Sequence, residues 1–318
     1  MLDDGTGPVH VEAMIVEAIL IGLLPSFLMV GLGGLVRGRL SEQAWAGLDR
    51  LNFEVLFPAL LFTAAAERPI PPERVLTIGP AVWAIMALGL VAGYGARRFG
   101  PGRFLDFAGA WQCAWRFNTA MGFVVVGALS MSDTALMAVI AGLAVPVANL
   151  FAVAGLSRGG ALSLGATLRK VALNPFLLAS LSGVLVGISG LHIPAPITAP
   201  LDLLAQAAIP VALISIGATM DWRALGRANM FSAVLSGTKL VLLPAATFGT
   251  CLALGVRPGV AGALTAFAAL PPATAAHVLA AGFGADRRVA ATIVAQSTLL
   301  AALTLPVWIA LIELAFGT

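Results

Sequence analysis

Ten runs of roughly twenty apolar residues follow one another along this chain, joined by short polar connections. A helix rises 1.5 Å per residue, so each run is long enough to cross a hydrocarbon core of about 30 Å. In lipid the backbone must satisfy its own polar groups, which leaves helices as the conformation for runs of this length. They lie at roughly 14–36, 46–66, 74–96, 105–130, 134–156, 172–190, 200–220, 228–254, 260–282 and 290–316. Composition agrees, with 59% of the 318 residues hydrophobic and 10% charged. Soluble domains carry about 25% charged residues. No connection is long enough to form a separate soluble domain, so an all-α membrane protein is expected.

The charge pattern excludes some functions and suggests an orientation. The formal net charge is only +3, and its arginines and lysines are scattered over many loops, which argues against nucleic acid as a partner. Cys113 and Cys251 both fall in apolar runs, so neither a disulfide framework nor a metal cluster is implied. No basic stretch precedes the first apolar run, and a cleaved signal peptide is not expected. Counted over alternate connections, one side carries thirteen arginines and lysines, from Arg37 to Arg288, and the other only Arg68, Arg74 and Arg257. The positive-inside rule places the rich side in the cytoplasm of a cell (inner) membrane and both termini outside it.

Two interruptions stand out within the spans. The ninth contains Leu270-Pro271-Pro272-Ala273-Thr274 near its centre, where two adjacent prolines remove two donors and clash with the preceding turn. A helix broken at mid-depth leaves polar backbone that transporters use to hold solutes. The halves of the chain also echo one another. Phe57-Pro58-Ala59-Leu60-Leu61 matches Ile209-Pro210-Val211-Ala212-Leu213 at an offset of 152, and Ala108-Gly109-Ala110 matches Ala261-Gly262-Ala263 at 153. Five helices per unit is an odd number, so residues 1–156 and 157–318 read as inverted repeats. The same register sets Asn118 against Pro271. The fourth span is therefore expected to break near Arg116-Phe117-Asn118, and the two broken helices to cross at the midplane.

These motifs resemble those of the auxin efflux carrier family. The resemblance rests on Leu51-Asn52 through Phe57-Pro58-Ala59-Leu60-Leu61-Phe62, on Asn174-Pro175, and on Ala208 to Leu213 followed by Gly217-Ala218. It continues through Lys239-Leu240 with Pro244, Ala269 to Thr274, and Thr298 with Leu303-Thr304-Leu305-Pro306. It covers nearly the whole chain in order. It implies a scaffold of helices 1, 2, 6 and 7, a mobile unit of helices 3–5 and 8–10, and dimerisation through the second and seventh helices. It also implies transport of a small organic anion, malonate-type dicarboxylates in bacterial members and auxin in plant ones. The asparagine of the plant exporters' fourth-helix motif falls on Asn118, preceded here by Phe117 where they have a proline.

The polar residues inside the spans are the candidate site. Arg116 offers a planar fork for a substrate carboxylate, or a cation for the negative end of a half-helix. Asn118 suits substrate or crossover contact. Thr274 sits beside the break and could donate to an anion or bond back to its own helix. The Pro271-Pro272 backbone completes the substrate set. Lys239 reads as a crossover stabiliser, because intramembrane lysines pair with carboxylates or carbonyls. His277 shares a helical face with the break and is a packing residue or a proton carrier. Glu54 is an ion-pair partner for Arg50 or a second proton site. Gly31, Gly33 and Gly34 read as close packing between helices. No cofactor, metal site or catalytic set is indicated, and the expected role is a carrier rather than an enzyme. H+ is the first candidate for a coupling ion and Na+ the second. The alternatives are a sodium-coupled symporter of the bile-acid carrier type, with Gln112, Asn118, Thr119 and Gln296 as oxygen ligands, or a passive anion channel.

Overall fold

The computed structural model describes residues 24–25, 28–66, 72–130, 134–158, 169, 172–191, 193–219, 222–223 and 229–317. The start of the first expected span and the connections holding Arg68, Lys170 and Arg227 lie outside the described residues. Among the described residues the secondary structure is helical, with no strand. Five helices are long and apolar enough to cross a membrane: Leu76–Phe99, Val139–Arg158, Ala195–Thr219, Met230–Ala253 and Arg287–Phe316.

In chain order, α1 covers 28–36 and α2 covers 42–66. The N-terminus of α2 is capped by Ser41, whose hydroxyl accepts from the Ala44 amide at 3.2 Å. Ahead of Pro58, α2 widens into a π-helical turn at Asn52–Leu56, where the Phe57 amide reaches back to the Asn52 carbonyl. Proline cannot donate to the carbonyl four residues back, and the wider turn accommodates its ring. Next come α3, Pro72–Tyr94, and the fourth helix in two pieces, α4a Phe104–Trp111 and α4b Thr119–Ala128. α5 is Thr134–Arg158, α6 Pro175–Ser189 and α7 Ala195–Thr219. α8 covers 230–253 with its own π-helical turn at Thr238–Leu242, again just before a proline, Pro244. There the carbonyl of Leu240, which Pro244 leaves without its helical donor, accepts from the Trp308 indole at 2.8 Å. The ninth helix is also in two pieces, α9a Pro258–Ala269 and α9b Ala275–Gly282, and α10 is Arg287–Phe316.

The sequence misplaces some ends. α7 starts at Ala195, not 200, because prolines near a helix start give up donors that have no intrahelical partner anyway. α10 starts at Arg287, fixed by Asp286, whose carboxylate accepts from the Arg288 amide at 2.9 Å.

α2 packs against α6 and α7, and against α6 through backbone-to-backbone contacts that only glycine allows. A Cβ on Gly183 or Gly187 of α6 would fall 2.6 Å from the Phe62 carbonyl oxygen or 2.8 Å from that of Ala65. In the same way Gly33 of α1 lies on the Ile214 carbonyl, and Gly217 of α7 on the Val30 carbonyl. Gly34 meets the Trp222 ring, while Gly31 faces open space. The packing reading of this glycine cluster therefore holds at two of its three positions. Deep burial is concentrated in the broken ninth helix, where every residue from Ala261 to Pro272 is buried.

Gly217→Val should lower the melting temperature of detergent-purified protein, by the equivalent of about 1–3 kcal/mol for overpacking. Gly31→Ala, with no neighbour within 4 Å, should leave it nearly unchanged. Equal effects at the two positions would refute the close approach of α1 to α7.

Candidate functional site

The break in the ninth helix follows from its prolines. A residue before proline is driven out of the helical region, and Leu270 adopts φ −59° and ψ 142°. The chain resumes as α9b at Ala275.

The break in the fourth helix has no proline and is held by its surroundings. α4a tightens into a 3-10 turn at Gln112–Ala114, and Asn118 is extended, with φ −84° and ψ 103°. The Asn118 side-chain oxygen then accepts from the Met121 amide at 3.2 Å, capping α4b. Its backbone N–H donates to the Pro271 carbonyl at 2.8 Å, which joins the two breaks directly. The link runs one way, because Pro271 has no N–H to return. Phe117 is buried edge-on against Phe267 of α9a, ring centroids 4.6 Å apart. Around this point α4a packs on α9b and α4b on α9a. Gln112 reinforces the contact, its amide donating to the carbonyls of Gly109 at 2.9 Å and Ala276 at 3.0 Å.

The contact between the two breaks brings two helix beginnings together, those of α4b and α9b, whose positive dipole ends favour an anion. Asn118, Thr119 and Ala273 are partly exposed there, whereas Arg116, Phe117, Pro271, Pro272 and Thr274 are buried. The Thr274 carbonyl accepts from the His277 amide at 3.0 Å, and its side chain makes no cap bond to α9b.

Two cations are buried near this point. Arg116, 3% exposed, extends to α5, where it donates to Asn149 Oδ1 at 2.9 Å. Its Nε has no hydrogen-bond partner. Lys239 of α8, 1% exposed, donates to the Ala268 carbonyl at 2.6 Å, in the last turn of α9a. That position lets its charge offset the negative end of the half-helix. Among the described residues, no carboxylate pairs with either cation.

His277 turns away from Asn118. Its Nδ1 lies 3.2 Å from the Arg287 carbonyl and its Nε2 3.3 Å from Asp49 Oδ1 of α2. Asp49 also receives the Ser215 hydroxyl of α7 and, at 2.8 Å, Arg287 Nη1 of α10. Glu54 is separate, on the exposed face of α2, where it accepts from Arg50 Nε at 2.8 Å. The two residues considered as proton sites, His277 and Glu54, are thus in different places. Sequence reasoning missed Asp49, Asn149, Ser215 and Arg287. Asp49 and Asn149 had a usable signal, a polar side chain within an apolar run. Ser215 and Arg287 had none.

With this geometry in place, comparison with known proteins identifies the chain's relatives. Residues 161–309 match a family model described as membrane transport protein. A protein of Rhizobium meliloti (strain 1021) named "Putative malonate transporter" is 27% identical over 296 residues, 89% of this chain and 92% of that one. An "Uncharacterized transporter" of Methanothermobacter thermautotrophicus is 27% identical over 281 residues, 86% of this chain and 91% of its own. The family resemblance read from the motifs is borne out. These matches indicate a transporter rather than an enzyme.

Asn118→Ala should cost about 1 kcal/mol of ligand-free stability through loss of the α4b cap, whereas Asn118→Ser should retain most of it. Thermal unfolding of the two variants checks this. A stable Asn118→Ala would mean that the Pro271 contact alone holds the break.

Proposed function

We propose that this membrane transport protein is a secondary carrier of small organic anions, which holds a carboxylate or dicarboxylate where α4 and α9 cross. The observation that carries the reading is Arg116, a buried cation beside the proposed crossing that has, among the described residues, no carboxylate partner and no hydrogen-bond partner at Nε. A charge in an apolar surround is costly unless paired, and removing one member of a pair leaves the other uncompensated. An anion is the natural complement. Its carboxylate would take the Arg116 fork, with the Asn118 amide, the Thr274 hydroxyl and the beginnings of α4b and α9b completing the polar surround. Pro271-Pro272 keeps the chain extended there, and Lys239 offsets the end of α9a. The name of the Rhizobium relative makes a malonate-type dicarboxylate the first substrate to test.

The architecture we propose has ten crossing helices in two inverted five-helix repeats, with both termini on the extracytoplasmic side. The near-equal sequence offsets, the paired interruptions at 115–118 and 270–274, and the loop charge asymmetry all support it. α1, α2, α6 and α7 form the scaffold and the dimer contact. The remaining helices move against them, exposing the crossing to each side in turn.

Malonate at about 100 times its Kd should stabilise purified protein by about 2.7 kcal/mol. Arg116→Ala should abolish that shift. Arg116→Lys keeps the charge but not the fork, and should unfold like wild type while binding at least about tenfold more weakly. If both variants bind malonate and its homologues as tightly as wild type, Arg116 is not the anion site. Saturable uptake with counterflow in proteoliposomes would mark a carrier, and unsaturable conductance a channel.

A further inference from the structure

The His277–Asp49 contact joins the two units that the proposed transport cycle moves apart, α2 and α7 on one side and α9b and α10 on the other. Its hydrogen bonding leaves one proton to be placed. His277 Nδ1 faces the Arg287 carbonyl, 3.2 Å away, which can only accept, so Nδ1 carries a hydrogen. Nε2 faces Asp49 Oδ1 at 3.3 Å and the Ser215 oxygen at 3.5 Å. The Ser215 hydroxyl donates to that same Asp49 oxygen. With a neutral imidazole and an ionised carboxylate, two lone pairs would face each other inside the protein. Adding one proton between Nε2 and Oδ1 turns this repulsion into a charge-assisted hydrogen bond. Both side chains are sealed from solvent, His277 at 0% and Asp49 at 1% exposure.

We propose that this pair is the coupling-proton site of the carrier: a proton held between His277 Nε2 and Asp49 Oδ1 closes the seam, and its release to water lets the seam open. The proposal rests on the carrier reading above and names its coupling ion. On release the imidazole becomes neutral and Asp49 stays ionised, retained by Arg287 at 2.8 Å, so no other charge needs to move.

The other charged groups nearby are engaged elsewhere. On α2, Glu42 accepts from Arg288 at 2.6 Å, and Arg50 and Glu54 pair with each other at exposed positions. α7 offers Ser215 at the contact. From α4a, Asp106 accepts from the Asp286 amide at 2.8 Å and Arg103 donates to the Gly284 carbonyl at 3.3 Å, both at the loop before α10. α5 brings Arg158 alone, at its exposed end. Asp49 is thus the group that takes up the imidazole's proton bond.

Two measurements on the full-length protein test the proposal. Nitrogen NMR of histidine-labelled protein, with His277→Gln to assign the signal, should show both ring nitrogens of His277 protonated at neutral pH. Nε2 should lose its proton in Asp49→Asn. In proteoliposomes, an inside-alkaline gradient of one pH unit should drive up to about tenfold accumulation of labelled malonate by wild type. His277→Gln should keep malonate counterflow and lose that accumulation. A neutral His277 beside an ionised Asp49 overturns the proposal, as does counterflow in wild type without any response to the gradient, or gradient-driven accumulation by His277→Gln. If wild type exchanges no carboxylate at all, the carrier reading fails, the coupling assignment falls with it, and the NMR result decides only whether the pair holds a proton.

Discussion

A helix broken in an apolar surround must find new partners for the backbone groups it frees, and it must find them within the protein. The Asn118 N–H to Pro271 carbonyl bond is that solution here, at 2.8 Å. It joins one break to the other, so neither half-helix is positioned independently. Asn118 serves twice, since its side chain also caps α4b. The remaining supports follow the same logic. Lys239 answers a carbonyl at the end of α9a, and Gln112 ties α4a to α9b through the Ala276 carbonyl. The prolines of α2 and α8 are met by π-helical turns, in α8 with the help of the Trp308 indole.

Charge is distributed by the same constraint. Where acids and bases can meet, they do, as in Arg287 with Asp49 and Arg288 with Glu42. Arg116 departs from this, buried and held by the neutral amide of Asn149. Burying a guanidinium without an anion is expensive, and the proposed substrate anion would supply the missing charge.

The outline of the molecule was legible because its signals are long or local. Apolar runs of twenty residues announce helices whatever their neighbours. A double proline announces a break by its own chemistry. The break at Asn118 was visible only through the repeat register, since Arg116-Phe117-Asn118 carries no breaker stronger than an asparagine. Side-chain partners were the illegible part. Asp49 looks like a charge near the end of a span beside Arg50, and nothing in its local sequence points to His277, 228 residues away. Glu54, one turn further on, looked equally eligible and is exposed. Which face of α2 turns inward at Asp49 is settled by its packing against α7 and α9b.

The paired breaks and the His277–Asp49 contact are joined by one short stretch of chain. From Pro271 to His277 is six residues, the last three of them in α9b. α9b begins just after the break, carries His277 in its first turn, and ends at Gly282, two residues before Gly284, whose left-handed φ of 72° turns the chain toward α10. In the proposed cycle, a displacement of the Pro271 end by an anion settling on Arg116 would reach the His277–Asp49 contact through the start of α9b. A hydrogen bond is lost over a displacement of less than 1 Å beyond its usual range, so a small tilt of α9b suffices to break or make that contact. The double proline frees α9b from α9a, and that freedom lets the half-helix move as a lever between the anion and the proton in the proposed cycle.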